Sequence, residues 1–230
     1  MAENLTISTL FFAIAGGFLP SLLWLWFWLK EDIHPEPCFA LISAFVSGMI
    51  AVPIAISLEY LISFPLGLTG GLSLLAWAFI EEILKYLAMK KNSFCKKCFD
   101  EPIDAIVYMI TTALGFASLE NTLFIIKTFN DNGIVSGMDI GNMRFIGATL
   151  LHTASSAIVG AFIAFSMRKN KRNLMINTIV GIIVAGLLHF AFNYLIMKSD
   201  GGNILKVLIP LWLIIIILIF VFEKVKSNIK

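Results

Sequence analysis

Residues 77–90 read Trp-Ala-Phe-Ile-Glu-Glu-Ile-Leu-Lys-Tyr-Leu-Ala-Met-Lys, and they place Glu81, Glu82 and Lys85 inside an apolar run of membrane length. Charge at that depth is costly, about 2.5 to 3.5 kcal/mol for an acid or a lysine at mid-bilayer. On a helix Glu81 and Lys85 stand i,i+4 and Glu82 and Lys85 i,i+3, each acid on the N-terminal side of the cation, so Lys85 can tether either carboxylate. A structural ion pair needs one acid and one cation. The second Glu is left over. Two adjacent carboxylates sharing one cation away from water have different proton affinities, which suits a pair in which one acid acts as a base.

Outward from this run, the chain of 230 residues is 59% hydrophobic and 14% charged, more apolar surface than a soluble core hides. It reads as one integral membrane domain over residues 1–230, all-α, a polytopic membrane helix bundle. A net charge of +2 and the lack of a phosphate-cradling glycine loop argue against nucleic acid as a partner. The lipid bilayer is the partner the composition requires. Apolar runs of about 20 residues give seven expected spans, near 6–29, 38–58, 67–89, 103–126, 143–167, 174–197 and 204–222. Ala13-Ile14-Ala15 resembles a signal-peptidase site, but no Lys or Arg precedes the run, which continues to Lys30 as a retained first span.

Orientation follows from the basic residues at the span ends. Lys30, the group Lys90, Lys91, Lys96 and Lys97, the group Arg168, Lys169, Lys171 and Arg172, and Lys224, Lys226 and Lys230 fall on one side. Only Lys127, Arg144, Lys198 and Lys206 fall on the other. Twelve against four puts the N-terminus outside and the C-terminus in the cytoplasm of a multi-pass cell-membrane protein.

Spans one, two and seven have no ionisable side chain in their middles and read as scaffold, with span seven kinked at Pro210 and facing lipid. Gly67 and Gly71 in span three, and Ser43 and Ser47 in span two, have the spacing of close helix contacts. Polar groups concentrate in spans three to six. Span four has Phe116-Ala-Ser-Leu-Glu120-Asn121 and begins with Asp104 near its cytoplasmic end; span five has His152 with Ser156; span six has His189 with Asn193. In each of the last two pairs the polar partner lies one turn on, on the same helix face. Counting 1.5 Å per residue, Glu120, His152 and His189 sit roughly 9, 14 and 12 Å from the outer boundary, and Glu81 roughly 15 Å if its helix starts near Gly71. One shared site in the outer half of the membrane is geometrically open to all four. A separate expectation concerns Cys95 and Cys98, a C-x-x-C that with Cys38 and His34 would make a Cys3His zinc set on the cytoplasmic side.

Glu-Glu-x-x-Lys at 81–85, Phe-x-x-x-Glu at 116–120 and the two later intramembrane histidines resemble PrsW-type intramembrane proteases, relatives of the CAAX prenyl protease and Abi superfamily. Asp32 and the Pro35-Glu36-Pro37 turn resemble that family too. The wider superfamily has Glu-Glu-x-x-x-Arg and Phe-x-x-x-His, so Lys85 and Glu120 point to the PrsW branch and away from prenylated substrates. The resemblance implies an endopeptidase that cuts a membrane-tethered protein near the outer face, as with anti-sigma factors.

Peptide hydrolysis needs an activated water, stabilisation of the oxyanion and a proton for the leaving amine. Glu81 or Glu82 is the candidate base with Lys85 holding the other, and the resemblance favours Glu81. His152 and His189 with Asn193 are candidates for oxyanion donor or general acid, Glu120 orients one histidine, and Asn121, Ser156 and Asp104 support. The favoured reading requires no metal: without a His-Glu-x-x-His the spacing gives no positive metal signal, and the resemblance to the CAAX enzymes implies a glutamate protease. Two His and one Glu remain a known catalytic zinc set, so zinc stays open. A proton-coupled transporter would also bury carboxylates and histidines, although the two halves carry no matching broken segments. A catalytically silent binding module is the third reading.

Overall fold

The computed structural model describes residues 6–32, 34–92, 99–198 and 204–227. Those residues form seven helices and no strand: α1 (Ile7–Leu29), α2 (Cys38–Leu66), α3 (Gly71–Asn92), α4 (Pro102–Met143), a π-helical turn at Arg144–Ala148 running into α5 (Thr149–Ala164), α6 (Lys171–Lys198) and α7 (Ile204–Ser227). Six of them contain stretches long and apolar enough to cross a membrane; α3 has the length but carries too much charge to count among them.

Helix α4 is the axis of the bundle. Its apolar stretch Pro102–Asp131 is 94% buried, against 22–39% for α1, α2, α6 and α7, as expected of a helix that is apolar on every side. Small residues on α2 and α4 bring the two backbones together. A methyl group on Gly48 would strike the Thr112 carbonyl, and one on Gly115 would strike that of Phe45. This contact replaces the one expected from Gly67 and Gly71. Gly67 instead ends α2 in the left-handed region (φ 57°), a conformation that favours glycine, and Gly71 opens α3 facing only Tyr194.

Two boundaries also differ from the hydropathy reading. Helix α2 runs to Leu66 rather than stopping near 58, which brings Glu59 onto a helix. The segment 130–142, expected as an external loop, is helical, broken at Gly133 where φ is 82°. Hydropathy reports where lipid ends. It is blind to a helix that continues beyond that boundary. Pro210 does lie inside α7, and α7 is sided: Leu211, Ile215, Leu218 and Phe222 pack inward while Leu213, Ile217 and Phe220 face out.

Helix α3 is wedged between α2 and α6 and reaches α4 and α5. Its inward stripe is Ala78, Glu81, Glu82, Lys85 and Met89, while Ile83 and Leu87 face out. This inverts the amphipathicity of a soluble helix, because here the apolar medium is outside.

Candidate active site

The inward stripe of α3 meets polar residues of α4, α5 and α6. Lys85 Nζ donates to Glu82 Oε1 (2.5 Å), both side chains fully buried. Glu82 also accepts from Ser155 Oγ (2.9 Å) and His189 Nδ1 (2.9 Å), with Ser156 Oγ at 3.4 Å from its other oxygen. Glu82 is therefore saturated with donors. Glu81, one residue earlier and turned about 100° around the helix, has a buried Oε2 with no hydrogen-bond partner. That oxygen lies 3.8 Å from His152 Nδ1 and 3.9 Å from His189 Nε2.

Each histidine is held from behind by a carboxylate. His189 Nδ1 faces Glu82, and His152 Nε2 faces Glu120 Oε2 at 2.9 Å. An ionised carboxylate only accepts, so the bonds assign a proton to each of those two nitrogens. His152 Nδ1, which accepts from the Lys85 ammonium at 3.1 Å, and His189 Nε2 are the unprotonated nitrogens. Both face Glu81. The rings meet edge to face at 5.1 Å, and the Phe116 ring lies 5.6 Å from His152, one turn before Glu120 on the same face of α4.

The cluster is most open at Glu120 and Arg144, with a smaller exposure at Glu81. Arg144, from the π-helical turn, donates through Nη2 to Glu120 Oε2 (2.6 Å) and through Nε to Asn121 Oδ1 (2.6 Å), and it stacks over Phe124. Asn121 Nδ2 donates to Thr149 Oγ1 (3.0 Å). The Arg144 and Glu120 side chains are each 17% exposed, whereas Lys85, Glu82, His152 and His189 are 2% or less. Single-turn π-helices recur at functional sites because they re-aim a side chain. This one aims Arg144.

Glu81, Glu82, Glu120, His152, His189, Lys85, Asn121 and Ser156 thus converge from four helices. Asn193 is half-buried and lies outside this hydrogen-bond network. Asp104 is 16 residues from Glu120 on α4, about 24 Å along the axis, and belongs to another cluster. There it accepts the N–H groups of Asp100 (2.9 Å) and Glu101 (2.7 Å), against Glu36, which accepts from Tyr108 (2.5 Å). Asp32 completes that group with a buried Oδ2 that has no partner. Burial pushes the Asp32 and Glu36 carboxyls above their ordinary range. Of the expected Cys3His set, Cys95 and Cys98 lie outside the described residues, Cys38 is exposed and His34 Nδ1 pairs with Glu101 at 2.8 Å.

Sequence reasoning missed Arg144, Ser155, Thr149 and Glu59. Arg144 counted only as a boundary charge, and no spacing ties residue 144 to residue 120. Glu59, at the end of α2, is within electrostatic reach of both Glu81 and Glu120.

A helical membrane bundle with a buried carboxylate and imidazole centre, open at one edge, has the construction of an intramembrane hydrolase. The family described as PrsW family intramembrane metalloprotease matches residues 36–222. The chain belongs to that family, and it is a multi-pass membrane protein. It is similar to the protease PrsW of Bacillus subtilis (strain 168), 26% identical over 196 residues that cover 81% of this chain and 84% of that protein. To the protease PrsW of Clostridioides difficile (strain 630) it is 27% identical over 212 residues, covering 88% of this chain and 82% of that protein. No solved structure matches it significantly.

The family's description implies a metal, and the donor set fits one. Glu81, His152 and His189 each offer a ligand atom within 4.8 Å of the others. The two histidine atoms are lone pairs, each ring is backed by a carboxylate in the manner of metal-bound imidazoles, and Glu81 Oε2 lacks any other partner. The acids around the cluster, Glu81, Glu82, Glu120 and the nearby Glu59, outnumber Lys85 and Arg144, which favours a cation there.

Proposed function

We propose that the chain is an endopeptidase acting on a membrane-tethered protein, with Glu81, His152 and His189 holding a divalent metal ion such as zinc at its hydrolytic centre. The single observation that carries this is the orphan Glu81 oxygen facing two imidazole lone pairs. When bound, such an ion supplies Lewis acidity that polarises the scissile carbonyl and makes hydroxide available near neutral pH. The chain's own groups do the rest. Glu82 and Glu120 lock the tautomers of His189 and His152, and Lys85 balances the Glu82 charge. Arg144, at the open edge, has donors for the developing oxyanion, and the apolar helices around the cluster exclude water, which strengthens each of these interactions.

The metal-free reading rests on the same oxygen. Glu81 Oε2 would take the proton of the attacking water and pass it to the leaving amine. The tautomers favour the metal, because lone pairs can bind an ion but cannot donate to an oxyanion. The exposed edge lies at the α4–α5 turn, the outer end by the Lys and Arg asymmetry, which supports a single-span substrate cut near the outer face, of the anti-sigma kind.

The test is elemental analysis of the purified protein with an assay on a single-span substrate. About one zinc per chain, loss of activity on chelation and its return with zinc would be expected, with His152→Ala and His189→Ala losing both metal and activity. Activity that survives exhaustive chelation moves the reaction to Glu81 alone. Parental rates in both His variants would remove the centre from this cluster.

A further inference from the structure

Away from the polar cluster lies an apolar groove of about 580 Å³ between α5, α6 and α7, running from Lys169 and Asn177 at the basic end of the bundle to Ile158 and Leu188 at mid-membrane. Helices α6 and α7 touch only sparsely along it.

Length and lining point to the occupant. From Asn177 to Leu188 is 11 residues, about 16 Å of helix, which is one leaflet's share of a hydrocarbon core about 30 Å thick. Between those ends the groove is lined by apolar side chains, among them Phe162, Val184, Ile214 and Ile217, which suits a hydrocarbon chain. Charge at the mouth chooses among lipids: Lys169 lines the groove beside the half-buried Asn177 amide, and Arg168, Lys171 and Arg172 flank it. Basic pockets between membrane helices at the boundary bind acidic head groups.

We infer that this groove is a binding site for one anionic phospholipid of the leaflet at the basic end, with an acyl chain between α6 and α7 and its phosphate on Lys169 and Asn177. Because its deep end stops at Leu188, the lipid also fills space behind the helix that carries His189. The inference stands apart from the proposed peptidase chemistry.

The test uses the full chain in detergent, with native mass spectrometry counting retained lipid. Phosphatidylglycerol should be retained about fivefold over phosphatidylcholine of equal chain length, the preference roughly one lysine provides at a membrane surface. Lys169→Gln should erase that preference, Lys169→Arg should keep it, and Ile217→Trp, which fills the groove from its lipid-facing rim, should release both lipids. Soluble glycerol phosphate should not compete. Helical circular dichroism checks that each variant is folded. The inference fails if Lys169→Gln leaves the preference intact, if Ile217→Trp retains lipid, or if glycerol phosphate displaces phosphatidylglycerol. It fails equally if Ile217→Cys cross-links one copy to another, which would put a second chain in the groove.

Discussion

The protein buries two groups of three carboxylates, one in the middle of the bundle and one at its basic end, and they are balanced in opposite ways. Around Glu81, Glu82 and Glu120 stand Lys85, Arg144 and two imidazoles, and every carboxylate but Glu81 is bonded to at least one of them. Around Asp32, Glu36 and Asp104 no Lys or Arg forms a pair among the described residues; the donors are Tyr108 and backbone N–H groups. In the first group Lys85 faces Glu82 and Arg144 faces Glu120, while Glu81 Oε2 has no hydrogen-bond partner. In the second group burial raises the pKa values of Asp32 and Glu36, and the Glu36–Tyr108 bond ties the α1–α2 loop to the start of α4. Acidic residues alone therefore do not mark chemistry. Asp32 Oδ2 is as unpartnered as Glu81 Oε2; only Glu81 faces two imidazole nitrogens, and the proposed chemistry rests on that difference.

The sharpest break of this comparison is Glu81→Gln. It removes the free carboxylate but no hydrogen bond, so cleavage of a single-span substrate should fall by about 10² to 10⁴ while the thermal unfolding of the metal-stripped protein stays near that of the metal-stripped parent. A variant that loses stability in step with activity would make Glu81 structural.

Glu82→Gln should do the reverse. It leaves a fully buried Lys85 without its countercharge, and removing one partner of a buried pair costs about 3–5 kcal/mol. Expression and unfolding temperature should drop first, and a second change, Lys85→Met, should recover much of the loss. Unchanged stability in the single variant would mean that Lys85 finds another acceptor.

A smaller effect is expected from Arg144→Gln. It leaves Glu120 with only His152, so kcat should fall by roughly 10- to 100-fold, the usual range for partners that orient first-shell groups. Because the pair is partly exposed, the stability cost should stay within about 1 kcal/mol. An unchanged kcat would confine Arg144 to the surface.

The smallest effect tests the other cluster. The folded-state pKa values of Asp32 and Glu36 are raised by burial, so the folded protein holds protons that the unfolded chain has released. Their stabilising contribution is complete below the unfolded carboxylate range and declines as pH rises through the folded values. Glu36→Gln keeps an acceptor for Tyr108 and should flatten that decline in unfolding temperature as pH rises above about 4, with no change in cleavage rate. An equally steep profile in the variant would locate the dependence elsewhere.

Much of the architecture is legible without coordinates, because the bilayer imposes a length on each apolar run and allows little but helix across it. Seven runs, the polar stripe of α3 and the histidines of α5 and α6 all follow from that constraint acting on local sequence. Membership of a protease family is legible too, since Glu81, Glu82, Lys85, Glu120, His152 and His189 keep their order along the chain. Local sequence did not reveal that 130–142 is helical or that Gly67 caps α2, because hydropathy ends where lipid ends. Nor did it reveal which of two adjacent acids is free. Glu81 and Glu82 have the same side chain and the same access to Lys85 along one helix. What separates them is donors arriving from elsewhere, Ser155 on α5 and His189 on α6, while Arg144 reaches Glu120 only through the π-helical turn. Hydrogen bonds between residues 24 to 107 positions apart are set by how helices pack, and no spacing within one helix encodes them.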